Sequence, residues 1–212
     1  AFTLEVTATD DADVDLFNTN ATSVTVTAGV DLGDTATVTV DGNTVGNADL
    51  VDLTVAGDMA NVTLSDDLAS FTTLDVSGVV TDLVADTSGA EFVVAPGQFI
   101  SYLIGTTNDG ADGTVDVDFT GNDAREIYDF GGGDIGEVMI TDFTFGADPA
   151  AGDRLDLSDF AANAGQLIFA NVAGDLVITD LAGGLGDFDG SITIVGAGAA
   201  AADVSSFNII FG

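Results

Sequence analysis

The sequence predicts an all-β chain, a parallel β-solenoid or β-roll-like stack of short strands, with a β-sandwich as the alternative. Three observations carry this expectation. Thr and Val, which favour strands, and Gly, which serves tight turns, are abundant. Of the 36 carboxylates only four are Glu; Asp suits turns because its short side chain reaches nearby backbone N–H groups, whereas Glu suits helices. Short β-rich runs also recur closely, each closed by Asp, Gly, Asn or Ser.

From Ser23 to about Asp118 the runs are SVTVTAGV, ATVTVDGN, VDLTVAGD, ANVTLSDD, TTLDVSGV, TDLVADTS, EFVVAPGQ, SYLIGTTN and GTVDVDFT. Each has period-two alternation or a β-branched apolar centre. Their spacing suits a sandwich or barrel as well as the coils of a solenoid, and no residue motif repeats cleanly enough to separate the two. LTVAG and EFVVA favour the solenoid, because they read as apolar on both faces, as doubly covered strands should. Residues 1–120 thus form a β-rich, repeat-like region.

From Gly121 to Gly212 the texture changes, although both regions are expected to make one continuous domain. Gly131 to Gly133 is expected as a turn or corner. DPAAGDRLDLSDFAANAGQL is expected to hold one or two short helical turns, with Pro149 early and Gly165 as a stop. GAGAAAAD, at 196–203, reads as a flexible connector, and GAGAAAADVSSF has room for one more helical turn. Everything else reads as strand.

Charge narrows the function classes. The chain has a net charge of −34, with Arg125 and Arg154 as its two cations. Because 46% of its residues are hydrophobic, it has the material for a core and does not read as disordered. Such a charge repels nucleic acid and anionic lipid. It attracts divalent cations, and oxygen-only ligands suit Ca²⁺. The absence of Cys rules out disulfides. No stretch of about 18 apolar residues offers a membrane span, and the first fifteen residues lack the basic and apolar regions of a secretory signal.

Most catalytic constellations lack their residues. Without His, Cys or Lys there is no Ser-His-Asp triad, thiol nucleophile, zinc–His site or Schiff-base lysine. A carboxylate pair can hydrolyse a glycosidic bond, yet among 36 carboxylates some pair always exists by chance. Sugar-stacking rings are scarce: Trp is absent and only Tyr102 and Tyr128 offer amphipathic rings. The Phe residues read as core. The sequence therefore reads as a non-enzyme.

The order GND…IYDFGGGD…ITDF…GDRLDLSDF, followed by GDLVIT…DGSITIVG…AADVSSFNIIF, resembles the C-terminal region of Gram-negative proteins exported by type I secretion. That group, the RTX proteins, includes haemolysins, secreted proteases and lipases, and several S-layer proteins. The resemblance covers Gly121 to Gly212. It implies export through an uncleaved C-terminal signal and a location outside the cell or on the surface of a Gram-negative bacterium. AFTLEV looks like the start of such a protein after loss of its initiator Met, which implies a nearly complete chain with no separate catalytic domain. The family's calcium-binding nonapeptide, G-G-x-G-x-D plus an apolar residue, normally runs in tandem; here only GNDAREIYDF and GGGDIGEVM remain. The calcium ligands the resemblance implies are Asp123, Asp129 and Asp134. In the family pattern DRLDLSDF is a structural strand, with Leu155 and Leu157 facing the core and Asp153, Asp156 and Ser158 at the turn or outside. Arg154 is then a partner for neighbouring carboxylates.

The expected function is that of a structural, self-assembling extracellular protein: an S-layer, matrix or filament subunit, with calcium as a stabilising ion and other copies of the same chain as partners. Stacked β-proteins expose end strands with unpaired backbone groups, and a homopolymer can use them for head-to-tail growth. FTLEVTA and FNIIF are the candidate ends, with Phe2, Leu4, Val6, Phe207, Ile209 and Phe211 as assembly residues. The alternative is a calcium-dependent adhesin or carbohydrate-binding module acting as a monomer on cell-surface polysaccharide. A carboxylate-dependent glycan hydrolase or lyase ranks third.

Overall fold

A computed structural model of the chain describes residues 3–8, 13–16, 21–28, 36–42, 49–57, 59–79, 82–94, 98–104, 117–131, 135–146, 152–161, 163–181, 188, 190–202 and 209–212. It is all-β, and its strands stack as a parallel β-solenoid. Successive coils contribute one strand to each of two sheets. The strands are β1 (Thr3–Ala8) and β2 (Asp13–Leu16), β3 (Ser23–Ala28) and β4 (Ala36–Asp41), β5 (Asp52–Gly57) and β6 (Met59–Asp67), β7 (Thr73–Val79) and β8 (Leu83–Glu91). Next come β9 (Ile100–Ile104) and β10 (Val117–Thr120), then β11 (Glu126–Phe130) and β12 (Glu137–Thr141). β13 (Arg154–Asp156) opens a longer coil that carries β14 (Leu167–Val172), β15 (Asp175–Asp180) and β16 (Ser191–Ile194) before β17 (Ile209–Ile210).

One sheet runs β1-β3-β5-β7-β9-β11-β13-β17 and the other β14-β15-β16-β12-β10-β8-β6-β4-β2. All pairings are parallel except β14–β15 and β15–β16. β11 follows β10 across residue 121 and pairs with β9, so the two sequence regions share both sheets.

The core lies between the sheets, and the register stacks like positions upon one another. Val24, Leu53, Leu74, Tyr102, Tyr128, Leu155 and Ile209 form one column. Val38, Val62, Ala85, Phe119, Ile140, Ile194 and Leu176 form its counterpart in the facing sheet. Because side chains alternate along a strand, the intervening residues point outward. β5 follows this alternation, so LTVAG is not covered on both faces as expected. EFVVA is not a strand beyond Glu91: residues 92–94 are irregular, and Val93 is 71% exposed. Here two sheets cover one face each, and the outer faces meet solvent.

Asp also shapes the strands. Within β7 and β8 the segments DVSG and DTSG form matching bulges, in which Asp75 Oδ1 accepts from Ser77 N and Oγ, and Asp86 Oδ1 from Ser88 N and Oγ. Asp156 Oδ1 accepts from Ser158 N in the same way after β13. A glutamate carboxylate, one methylene further out, does not close this ring as readily. D-x-S is the repeat that the run-by-run reading missed. Where helical turns were expected in the C-terminal region, the described residues form short 3₁₀ turns at Ala164–Gln166 and Gly198–Ala202. Gly165 sits inside the first instead of ending it. The connector GAGAAAAD is ordered at 198–202, where it packs against β14 and β15. Pro149 and residues 132–134 lie outside the described residues.

Candidate functional site

The corner between β10 and β11 holds the densest polar network. Glu126 opens β11 at a core position, in register with Ile100 of β9, and is fully buried. Alternation in EIYDF puts Tyr128 and Phe130 on the same inward face. The Tyr102 hydroxyl lies 2.6 Å from Glu126 Oε1 and the Tyr128 hydroxyl 2.7 Å from Oε2. Asn122 N donates to Oε1 at 3.1 Å. Thr87, also fully buried, sits 3.0 Å from the Tyr102 hydroxyl and bonds the Thr120 carbonyl at 3.1 Å. Asn122 locks the corner to the coil below, donating from Nδ2 to the carbonyls of Thr87 and Ala90 while Oδ1 accepts from Ala124 N.

Asp153 closes the network from the next coil. It was expected at the turn or outside and is instead completely buried. The reason is backbone capping: Oδ1 accepts from Glu126 N at 2.9 Å and Oδ2 from Thr144 N at 2.7 Å. Leu155 and Leu157 face the core as expected, and Ser158 is exposed. Gly121 leaves room for the buried acid, since a Cβ there would press on Glu126 Oε2 and lie 2.5 Å from the Tyr128 hydroxyl.

Burial dominates the electrostatics. It raises the Glu126 carboxyl to about 8, and the neighbouring Asp153 charge adds to the rise, against the tyrosine and Asn122 hydrogen bonds that lower it. Burial likewise raises Asp153 to about 6, opposed by its two backbone donors. Both tyrosines are pushed well above the usual phenol range, first by burial and then by the Glu126 charge. Tyr102 and Tyr128 are thus committed to the core and offer no ring for a sugar.

On the surface, two grooves of about 480 and 430 Å³ flank this corner and share Ser88, Asn122 and Asp123. Ser88 and Asn122 are already engaged in the bonds above. Asp123 is exposed in the corner, whereas Asp129 is half-buried near the far end of β11, so the two are not brought together. Asp129 pairs in register with Asp156. Its carboxyl is raised by burial and then by the charges of Asp156 and Asp159. Asp134 lies outside the described residues. Among the described residues no group of three or more His, Cys, Asp or Glu is arranged to hold a metal ion.

The two arginines share one ring. The Arg154 guanidinium lies 4.9 Å and that of Arg125 5.3 Å from the centre of the Phe99 ring, a stack of cations across three coils.

Among the described residues, β1, which carries Leu4 and Val6, is one edge of the eight-stranded sheet, and β17, which carries Ile209, is the other. Phe2 and Phe207 lie outside the described residues. Ile209 is buried in the core column, and Phe211 packs partly against the core. What β17 offers outward is therefore mainly backbone. The sequence reading did not name as an assembly strand β14, which is one edge of the nine-stranded sheet among the described residues. It is an uncharged strand, LIFANV, with Ile168 41% and Val172 52% exposed.

Comparison with protein-family models, with curated proteins and with solved structures finds no match to this chain. Among the described residues no helix is long and apolar enough to cross a membrane.

Proposed function

We propose that this protein is a structural subunit of an extracellular assembly, an S-layer, matrix or filament, that grows by adding copies at the ends of the solenoid. The observation that supports this most is the uneven charge of the sheet edges. β14 and β17, at the C-terminal end of the stack, carry no ionisable side chain, whereas β1 carries Glu5 and β2 carries Asp13 and Asp15. Natural edge strands are usually blunted by charge. Joining unlike ends avoids setting the acidic edges against each other, which favours head-to-tail growth over a head-to-head dimer.

Strand direction agrees with this polarity. The long coil inserts two antiparallel strands, an even number, so β14 again runs parallel to β16 and hence to β2. A copy stacked in the same orientation would continue a parallel ladder. Dense negative charge on the outer faces, as at Asp129 beside Asp156, opposes lateral contact, and calcium would relieve that repulsion as a screening and bridging ion. The C-terminal resemblance supports type I export from a Gram-negative cell.

Electron microscopy of purified protein with calcium and then with a chelator tests the proposal. Ordered filaments or lattices that dissolve on chelation are expected. Assemblies indifferent to the chelator would remove calcium from the proposal, and dispersed particles in both samples would overturn it in favour of a monomeric adhesin.

A further inference from the structure

The hydrogens around Glu126 can be counted. The Thr120 carbonyl can only accept, so its bond at 3.1 Å takes the single hydroxyl hydrogen of Thr87. Thr87 Oγ1 must then accept across its 3.0 Å contact with Tyr102. Tyr102 donates across its 2.6 Å contact to Glu126 Oε1 when the acid is ionised, and for all three contacts to hold at once that hydrogen has to come from the neutral acid instead. Tyr128 donates to Oε2, and Asn122 N donates to Oε1. A neutral Glu126 satisfies every contact. An ionised one takes the Tyr102 hydrogen and leaves Thr87 with one hydrogen for two acceptors.

The groups facing this carboxyl come from four consecutive coils: Thr87 of β8, Tyr102 of β9, Asn122 and Tyr128 around β11, and Asp153 before β13. The Phe119 ring of β10 closes the site, 4.4 Å from Tyr102 and 5.4 Å from Tyr128 between centroids. Asp153 is the charged neighbour, and it discourages a second negative charge. The guanidiniums of Arg125 and Arg154 lie over Phe99.

We propose that Glu126 is held as a neutral acid whose proton fastens these four coils together, and that its loss in mildly alkaline surroundings loosens the corner between β10 and β11. The device is independent of assembly, because it concerns contacts within one chain. Its threshold follows from burial beside Asp153, which sets the Glu126 carboxyl at about 8. In neutral water the corner is locked. A shift to alkaline water ionises the acid, turns the Tyr102 hydrogen towards it, costs Thr87 one of its two contacts and sets a second buried charge beside Asp153 at the corner that lines both grooves.

The composition supplies clean probes. With only four glutamates in the chain, protein labelled with ¹³C-glutamate yields four side-chain carboxyl resonances to follow between about pH 3 and pH 9.5. Three are expected to titrate in the ordinary acid range and one near pH 8, and Glu126→Gln should remove that one. In parallel, Tyr102 and Tyr128 are the only tyrosines and Trp is absent, so near-ultraviolet circular dichroism of the tyrosines reads this network alone. A reversible change with the same midpoint is expected in the wild-type chain. Four resonances that all titrate below about pH 6 would overturn the proposal without recourse to a variant. A tyrosine signal that stays flat while the fourth resonance titrates would also overturn it, since the proton would then fasten nothing.

Discussion

Replacing Gly121 by alanine puts a methyl group where the buried acid already sits. The new carbon would press on Glu126 Oε2 and lie 2.5 Å from the Tyr128 hydroxyl. Neither atom can yield freely, because each is held by the other's hydrogen bond. Gly121 is not among the glycines with positive φ, so the penalty is one of space and not of backbone conformation. Overpacking a core position costs about 1–3 kcal/mol. Losing one partner of the buried carboxyl adds about 1–3 kcal/mol. The sum is roughly 2–6 kcal/mol, which for a urea dependence of about 2 kcal/mol/M lowers the midpoint by about 1–3 M. Gly131, at the other end of β11, is the control: a Cβ there meets nothing within 4 Å. Gly131→Ala should be neutral or stabilising by about 0.4–1 kcal/mol. Urea unfolding followed by tyrosine fluorescence compares the two variants. A Gly121→Ala midpoint indistinguishable from wild type would refute the packing argument and the tight fit of the Glu126 network with it.

Stability should fall as pH rises. The Glu126 carboxyl titrates at about 8 when folded against 4.5 ordinarily, so the folded chain binds the proton more tightly. The gain is fully present below about pH 4.5 and lost as pH climbs through 8, a span worth up to ~5 kcal/mol. Asp153, raised to about 6, adds a loss of the same sign at lower pH. Urea midpoints measured from about pH 5 to pH 9 should therefore decline, and Glu126→Gln should flatten the upper part of that decline. Ile168→Asp adds a charge at an exposed position of β14; it is expected to abolish ordered assembly in micrographs while shifting stability by no more than about 0.5 kcal/mol. Ile209→Asp is a poorer test, because that side chain is core. Leu155→Ala empties a buried site between Tyr128 and Ile209 in the core column and should cost about 2–5 kcal/mol in thermal or urea melts.

Alternation and composition determined much by themselves. Eight of the nine strand runs expected before residue 121 are strands, EFVVA being the exception. The inward faces of β11 and β13 were also legible, because period two places Glu126 with Tyr128 and Phe130, and Leu155 with Leu157. The surplus of Asp over Glu was read as turn-building; Asp156 does cap the backbone two residues ahead as β13 ends, whereas Asp75 and Asp86 do so at bulges inside β7 and β8. Glu126 was not singled out, although period two sets it beside Tyr128 and Phe130 on the inward face of EIYDF.

The partners of that glutamate were not visible. Tyr102 lies 24 residues before Glu126 and Asp153 lies 27 after it. Such separations become contacts only through the coil register, and the register depends on loop lengths and bulges that carry no alternation signal. The same applies to Asp153: next to Arg154 in an acidic segment it reads as surface, and only the stacking of one coil on the next presents it with two backbone donors to cap. Local sequence thus determined which faces turn inward, because alternation is a property of neighbouring residues. The stacking of coils decided which polar groups meet inside, because burial makes an unpaired donor or acceptor too costly to leave and each partner comes from a different turn of the solenoid.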